Sequence, residues 1–198
     1  MNAASIAAKE HRPEWERPAR GRVGMFSLIA AEAAIFTIFV VAYLFYLGKS
    51  LSGPSPRDVL RVPIFFTICL LSSSLTIHLA TKSLRAGDTR LFGAWWFATI
   101  ALGAAFLYGT ATEWHRLIYY DGLTISTNLF GTTYYSLVGL HGFHVVVGLL
   151  CLSIVMAFTV LGYVRSEHAE HVEVLSLYWH FVDAVWIVVF TVVYLIGR

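Results

Sequence analysis

Five stretches of this chain, at about 23–47, 62–81, 91–112, 133–163 and 174–196, carry almost no charge, and each reaches the ~20 residues that a bilayer core requires. Inside hydrocarbon a backbone must satisfy its own hydrogen bonds, so runs of this length are read as helices. The expectation is an all-α membrane protein, a bundle of five transmembrane helices. With 58% apolar and 13% charged residues, the 198-residue chain has no composition left for a soluble domain. The connecting segments do not exceed about 20 residues, which excludes a separate nucleotide or extrinsic cofactor domain.

Residues 1–22 carry Lys9, Arg12, Arg17, Arg20 and Arg22, and a full-length span follows directly. A cleavable signal needs a shorter apolar region, so this segment is expected to be a retained cytoplasmic tail, with residues 23–198 forming the transmembrane domain. An odd number of spans puts the two termini on opposite sides. Nine Lys and Arg residues fall on the N-terminal side and five on the other, which predicts a cytoplasmic N-terminus and an external, periplasmic C-terminus. Cys69 and Cys151 lie within spans without a Cys or His at metal-ligand spacing and read as small core residues.

The last span opens on Tyr178-Trp179-His180-Phe181-Val182-Asp183-Ala184-Val185-Trp186, which places an imidazole and a carboxylate three residues apart inside the membrane. At 100° per residue, Ser176, Trp179, His180, Asp183, Trp186, Phe190 and Tyr194 share an arc of about 120°, opposite an arc of Val, Leu, Ile and Phe. A carboxylate bare in hydrocarbon costs roughly 2.5 kcal/mol or more. The polar and aromatic stripe is therefore expected to face protein, and the aliphatic side lipid or a partner subunit.

Glu32, flanked by Ala30, Ala31, Ala33 and Ala34, is with Asp183 one of the two acidic residues read as lying well inside a span. The alanines admit a close neighbouring helix. Counted from the inner ends of their helices, Glu32 and Asp183 lie about 12–15 Å deep and His180 slightly shallower, so the three are expected to meet. Such a cluster either relays and buffers protons near the cytoplasmic mouth of a proton path or clasps the first and last helices together.

On the fourth span His141, His144 and Gly148 share an arc of about 60°, a narrow polar face expected to pack closely and hydrogen-bond a neighbour. His141/His144 and His168/His171 form two HxxH pairs, the residue type of a di-iron centre. Helix counting separates the pairs by about 35 Å, and it separates either His141 or His144 from His180 by about 20 Å in depth. Neither a di-iron nor a bis-histidine haem site is therefore expected. His78, Arg165, His168, His171 and Glu173 fall at the inner interface, where they can meet a phospholipid headgroup.

The nonapeptide 178–186 resembles the signature of the last helix of haem-copper oxidase subunit III, with Leu177 where that family usually has Trp and Ala184 where it has Val. Ser83 to Asp88, Gly131 to Tyr135, Gly139 to Gly148, and the pair His168 and Glu173 resemble further family stretches in the same order. Around Glu32 the family's Ser-Glu pair is Ala31-Glu32. The likeness covers about residues 25–198 and implies the short, five-helix bacterial form. It also implies a non-redox subunit of an aerobic terminal oxidase, a cytochrome c oxidase ahead of a quinol oxidase. Haem and copper are then held by partner subunits, with none in this chain. The implied neighbours are subunit I as main contact, subunit II, a small subunit IV and bound phospholipid, in a bacterial inner membrane, with a role in assembly and proton uptake. The rivals are an accessory subunit of a nitric oxide reductase and a small proton-coupled transporter using Glu32 and Asp183. The inverted repeats and broken helices usual in such transporters are not seen in the sequence.

Overall fold

The computed structural model of the chain describes residues 20–50 and 52–197. Most of the basic N-terminal segment, including Lys9, Arg12 and Arg17, lies outside the described residues. Among them the elements are α1 (Arg20–Tyr46), α2 (Pro56–Val59), α3 (Ile64–Arg85), α4 (Thr89–Tyr119), α5 (Leu129–Val160) and α6 (Ala169–Phe190), with no strand. A single turn, Ser166–His168, leads into α6, and a wider π-helical turn, Thr191–Ile196, ends it. Five of these helices are long and apolar enough to cross a membrane. The face on which α1 begins is called the N face below, and the face on which α6 ends the C face.

Local chemistry sets the helix ends. Gly87, with φ of 82°, closes α3 in a conformation that other residues rarely adopt, and the Asp88 carboxylate accepts from the Leu91 amide at 2.9 Å to start α4. Asn128 caps α5 by accepting from Gly131 N at 2.8 Å and donates its amide to Ser52 O at 3.0 Å, tying the two C-face loops together. The third span was expected to end near 112, but α4 continues to Tyr119. No Gly or Pro stands between Gly109 and Gly122 to stop it.

Around the bundle α3 packs along α4, α4 on α5, and α5 on α1, while α6 lies against α1, α3 and α5. Two tryptophans make α6 the hub. The ring of Trp179 lies against Gly103 of α4 and Gly148 of α5, where an added Cβ would come within 2.9 and 2.8 Å of it. Its Nε1 donates to Ser73 Oγ of α3 at 2.8 Å. Two turns on, Trp186 donates to Thr67 Oγ1 at 3.2 Å and meets Phe106 and His141, ring centroids 4.6 and 4.9 Å away. Glycine is required at 103 and 148 because each makes room for a fully buried indole.

The stripe read on the last span faces protein as expected: Ser176, Trp179, Asp183, Trp186 and Tyr194 are all buried. The opposite side divides. Ala184, Ile187, Val188 and Leu195 are exposed, but Val182, Val185, Val189 and Val193 are buried, because α6 has neighbours on more than one side. The outermost helix is α1, which buries Phe36 and Tyr43 and leaves Phe26, Ile35, Ile38, Val41 and Phe45 uncovered.

Candidate functional site

Several polar groups inside the bundle pair across helices, in sets that differ from the set expected. On one side of α6 Ser74 of α3 reaches both ionisable residues of the last span. Its Oγ is hydrogen-bonded to Asp183 Oδ2 and stands 3.0 Å from His180 Nδ1. Asp183 is 3% exposed, and its Oδ1 has no partner among the described residues. His180 and Asp183 thus cluster as the i, i+3 spacing suggested, joined through a serine of α3.

Glu32 does not join them. Its Oε2 lies 3.1 Å from His144 Nε2 on α5. The reason is geometric: α6 turns His180 and Asp183 toward α3 and meets α1 through Phe181 against Phe36, ring centroids 6.4 Å apart. The depth counts also lacked a common origin. The Tyr178 hydroxyl donates to the His144 carbonyl at 3.2 Å, so His144 stands level with the first third of α6 although it is 16 residues from the end of α5. The gap of about 20 Å expected between His144 and His180 is therefore absent. The two imidazoles point apart, one to α1 and one to α3.

The partners of His144 fix its chemistry. Nδ1 lies 2.8 Å from the Leu140 carbonyl, which can only accept, so Nδ1 carries a hydrogen. A bond between Nε2 and Glu32 then needs one further proton. Placed on nitrogen, it makes an imidazolium and a carboxylate; placed on oxygen, a neutral ring and a neutral acid. The pair thus shares one mobile proton at a site where the histidine is buried and Glu32 is half-buried.

His141 behaves differently from its neighbour. It was expected to hydrogen-bond across helices, but it is 1% exposed, neither ring nitrogen has a partner among the described residues, and aromatic rings enclose it. Phe106 stands edge-on at 5.7 Å and Trp186 tilted at 4.9 Å. His171 lies fifteen residues back along α6 from Trp186, about 22 Å at 1.5 Å per residue. The two HxxH pairs are therefore apart, and among the described residues no three His, Cys, Asp or Glu side chains converge as metal ligands would. Gly148 fulfils its expected packing role under Trp179.

At the N face a cavity of about 360 Å³ opens between α1, α3 and α6. Of the residues expected at an inner headgroup site, His78 and Glu173 line it and Arg165, His168 and His171 do not. The last three are exposed, and His168 Nδ1 accepts from Arg165 N at 3.2 Å in the loop. Arg22 and Arg85, not among the residues expected at that site, stand on the wall, both bonded to the Glu173 carboxylate. His180 lines the same cavity.

Glu113 is a further acidic residue inside the bundle, where only Glu32 and Asp183 were expected. The extension of α4 carries it into the bundle near the C face, where Tyr194 Oη donates to its Oε2 at 2.8 Å and the Tyr134 hydroxyl stands 3.4 Å from that of Tyr194. Glu113 Oε1 has no partner among the described residues.

Five membrane-length helices, with buried acids hydrogen-bonded to side chains of neighbouring helices, define a polytopic membrane protein. Known proteins narrow that class. A family profile described as cytochrome c oxidase subunit III matches residues 19–198. The chain is 34% identical to a cytochrome c oxidase subunit 3 of Alkalihalophilus pseudofirmus, over 88% of this chain and 86% of that one. It is 38% identical to a cytochrome c oxidase subunit 3 of Synechocystis, over 87% and 74%. It is also 36% identical to a cytochrome bo(3) ubiquinol oxidase subunit 3 of Pseudomonas aeruginosa, over 88% and 84%. The chain belongs to the cytochrome c oxidase subunit III family: it is a haem-copper oxidase subunit III, part of a membrane-embedded oxidoreductase complex.

Proposed function

We propose that this chain is subunit III of a cytochrome c oxidase in a bacterial inner membrane, with the N face toward the cytoplasm and the C face outside. The observation that carries the reading is the match to subunit III over nearly the whole chain, at the identities of relatives named for cytochrome c oxidase. The excess of Lys and Arg on the N-terminal side, nine against five, supports the orientation. Subunit I is the main partner, with subunit II and a small subunit IV as further neighbours. Haem and copper of the partner subunits supply the oxygen chemistry of the complex.

This chain's own residues hold protons and lipid. Glu32 and His144 share one proton between α1 and α5, and that pair sustains proton delivery to subunit I through repeated turnover. Arg22, Arg85 and His78 at the N-face cavity suit an anionic headgroup, with Phe26 and Leu177 beside the start of an acyl chain.

A second reading, a quinol oxidase subunit III, is favoured by the 36% identity to the ubiquinol oxidase relative. Oxygen uptake by the purified complex separates the two. Reduced cytochrome c is expected to drive it. Uptake driven by quinol alone moves the assignment to the second reading, and consumption of nitric oxide with no oxygen uptake overturns both.

A further inference from the structure

Asp183 is sealed in the bundle with one carboxylate oxygen on Ser74, while His180 reaches Ser74 from the wall of the N-face cavity of about 360 Å³. We propose that Ser74, His180 and Asp183 form a proton relay that loads one proton from the N-face cavity onto Asp183, with Ser74 as the residue that joins donor to acceptor.

A serine hydroxyl has one proton to donate and lone pairs to accept with. Ser74 Oγ contacts two groups that can each be donor or acceptor, so it must donate to one and accept from the other. Two arrangements satisfy both bonds. In the first, His180 Nδ1–H donates to Ser74, and Ser74 donates to an Asp183 carboxylate. In the second, Asp183 carries a proton and donates to Ser74, and Ser74 donates to a bare Nδ1.

The two arrangements differ by one proton moved from ring to acid. In the forward step His180 Nε2 takes a proton from a hydronium ion in the cavity, forming an N–H bond and leaving water, and the Nδ1–H bond breaks as its proton passes to Ser74 Oγ. The hydroxyl proton that Ser74 held passes to Asp183 Oδ2. One proton has entered, the imidazole is again neutral in its other tautomer, and the carboxylate has become an acid. His180 Nε2 is free for the first transfer: it has no hydrogen bond to the described residues and is not among their enclosed polar atoms. No electron moves and no co-reactant beyond the hydronium ion is needed.

A clasp that only held α3 to α6 would need Ser74 to touch one of these groups. The serine touches both and bridges ring to carboxylate, whereas Ser73, the second hydroxyl beside Asp183, gives its hydrogen to the Leu70 carbonyl and accepts from Trp179. The charged and titratable residues facing His180 from the packed elements are His78 and Arg85 of α3, Arg22 of α1 and Glu173 of α6, all on the cavity wall. They place exchangeable protons at the open end of the relay and none at the Asp183 end. The use of the loaded proton by the complex rests on the oxidase reading; the transfer within this chain does not.

The test is hydrogen–deuterium exchange of the Asp183 carboxyl, followed by infrared spectroscopy on the intact complex, with its C=O band assigned as the one lost in Asp183→Asn. In the parent the band shifts promptly in heavy water. In Ser74→Ala exchange slows by about a hundredfold, the loss expected when a positioned proton carrier is removed. Ser74→Thr, which keeps the hydroxyl, restores fast exchange, and His180→Phe slows it as Ser74→Ala does. Equal exchange rates in the parent and Ser74→Ala, or no carboxyl band lost in Asp183→Asn, overturn the relay. Subunit stoichiometry of each preparation shows that it is assembled. Oxygen uptake by the parent tests the oxidase reading separately: its absence leaves the exchange result standing.

Discussion

The Leu140 carbonyl decides what Glu32 can do from the far side of an imidazole ring. By holding the hydrogen on His144 Nδ1, it leaves the Nε2 to Oε2 contact at 3.1 Å to be filled by a single shared proton. Glu32→Gln keeps a hydrogen-bonding group of the same length and removes the site that can release that proton. The expected outcome is an initial oxygen-uptake rate near that of the parent and a faster loss of activity during sustained turnover. Superimposable decay curves would remove Glu32 from proton delivery. Trp179 makes a second residue-scale case, because it touches three helices at once. Trp179→Ala is expected to destabilise the bundle by about 3–5 kcal/mol, read as a lower thermal midpoint of the purified complex. Gly148→Val, which drives a side chain into that indole, is expected to act in the same direction. Gly24, with open space around its Cα, serves as the control: Gly24→Ala should leave the midpoint unchanged.

At the scale of elements, the C-face end of α4 is pinned to the π-helical turn that ends α6. The wide turn Thr191–Ile196 carries Tyr194, and its hydroxyl is the one hydrogen-bond donor to Glu113 among the described residues. Tyr194→Phe strands a carboxylate oxygen and is expected to cost about 1–3 kcal/mol, again as a fall in thermal midpoint. Tyr134→Phe, which removes only the longer contact at 3.4 Å, should cost less. Equal losses would show that the phenol pair acts as one unit. These elements also show where the sequence was legible. Five long apolar runs announce five helices because hydrocarbon leaves the backbone few options, and the stripe on the last helix announces its buried side. The continuation of α4 past 112 was hidden because Glu113, His115 and Arg116 look like loop residues, although no Gly or Pro interrupts them before Gly122. Partner choice was hidden for another reason. Depth counted along one helix has no common zero with the next: α5 runs beyond the start of α6, so His144 meets Glu32 and not the outer half of the bundle.

For the whole molecule, the five spans form one bundle with α6 at its hub and α1 at its edge, and three acids bond within it at separate places, Glu32 with His144, Asp183 with Ser74 and Glu113 with Tyr194, while His141 stays enclosed without a partner among the described residues. The uncovered aliphatic side of α1 is left to lipid or a neighbouring subunit. In the function proposed above, the electron chemistry of the complex belongs to other subunits. The direct check is to purify the complex through a tag on this chain, record its haem spectrum, metal content and oxygen uptake, and then release this chain with stronger detergent and repeat the metal and haem assays on it alone. Haem, copper and oxygen uptake are expected in the intact complex, with all of the haem and copper remaining in the fraction without this chain. Haem or copper retained by the released chain would contradict the account.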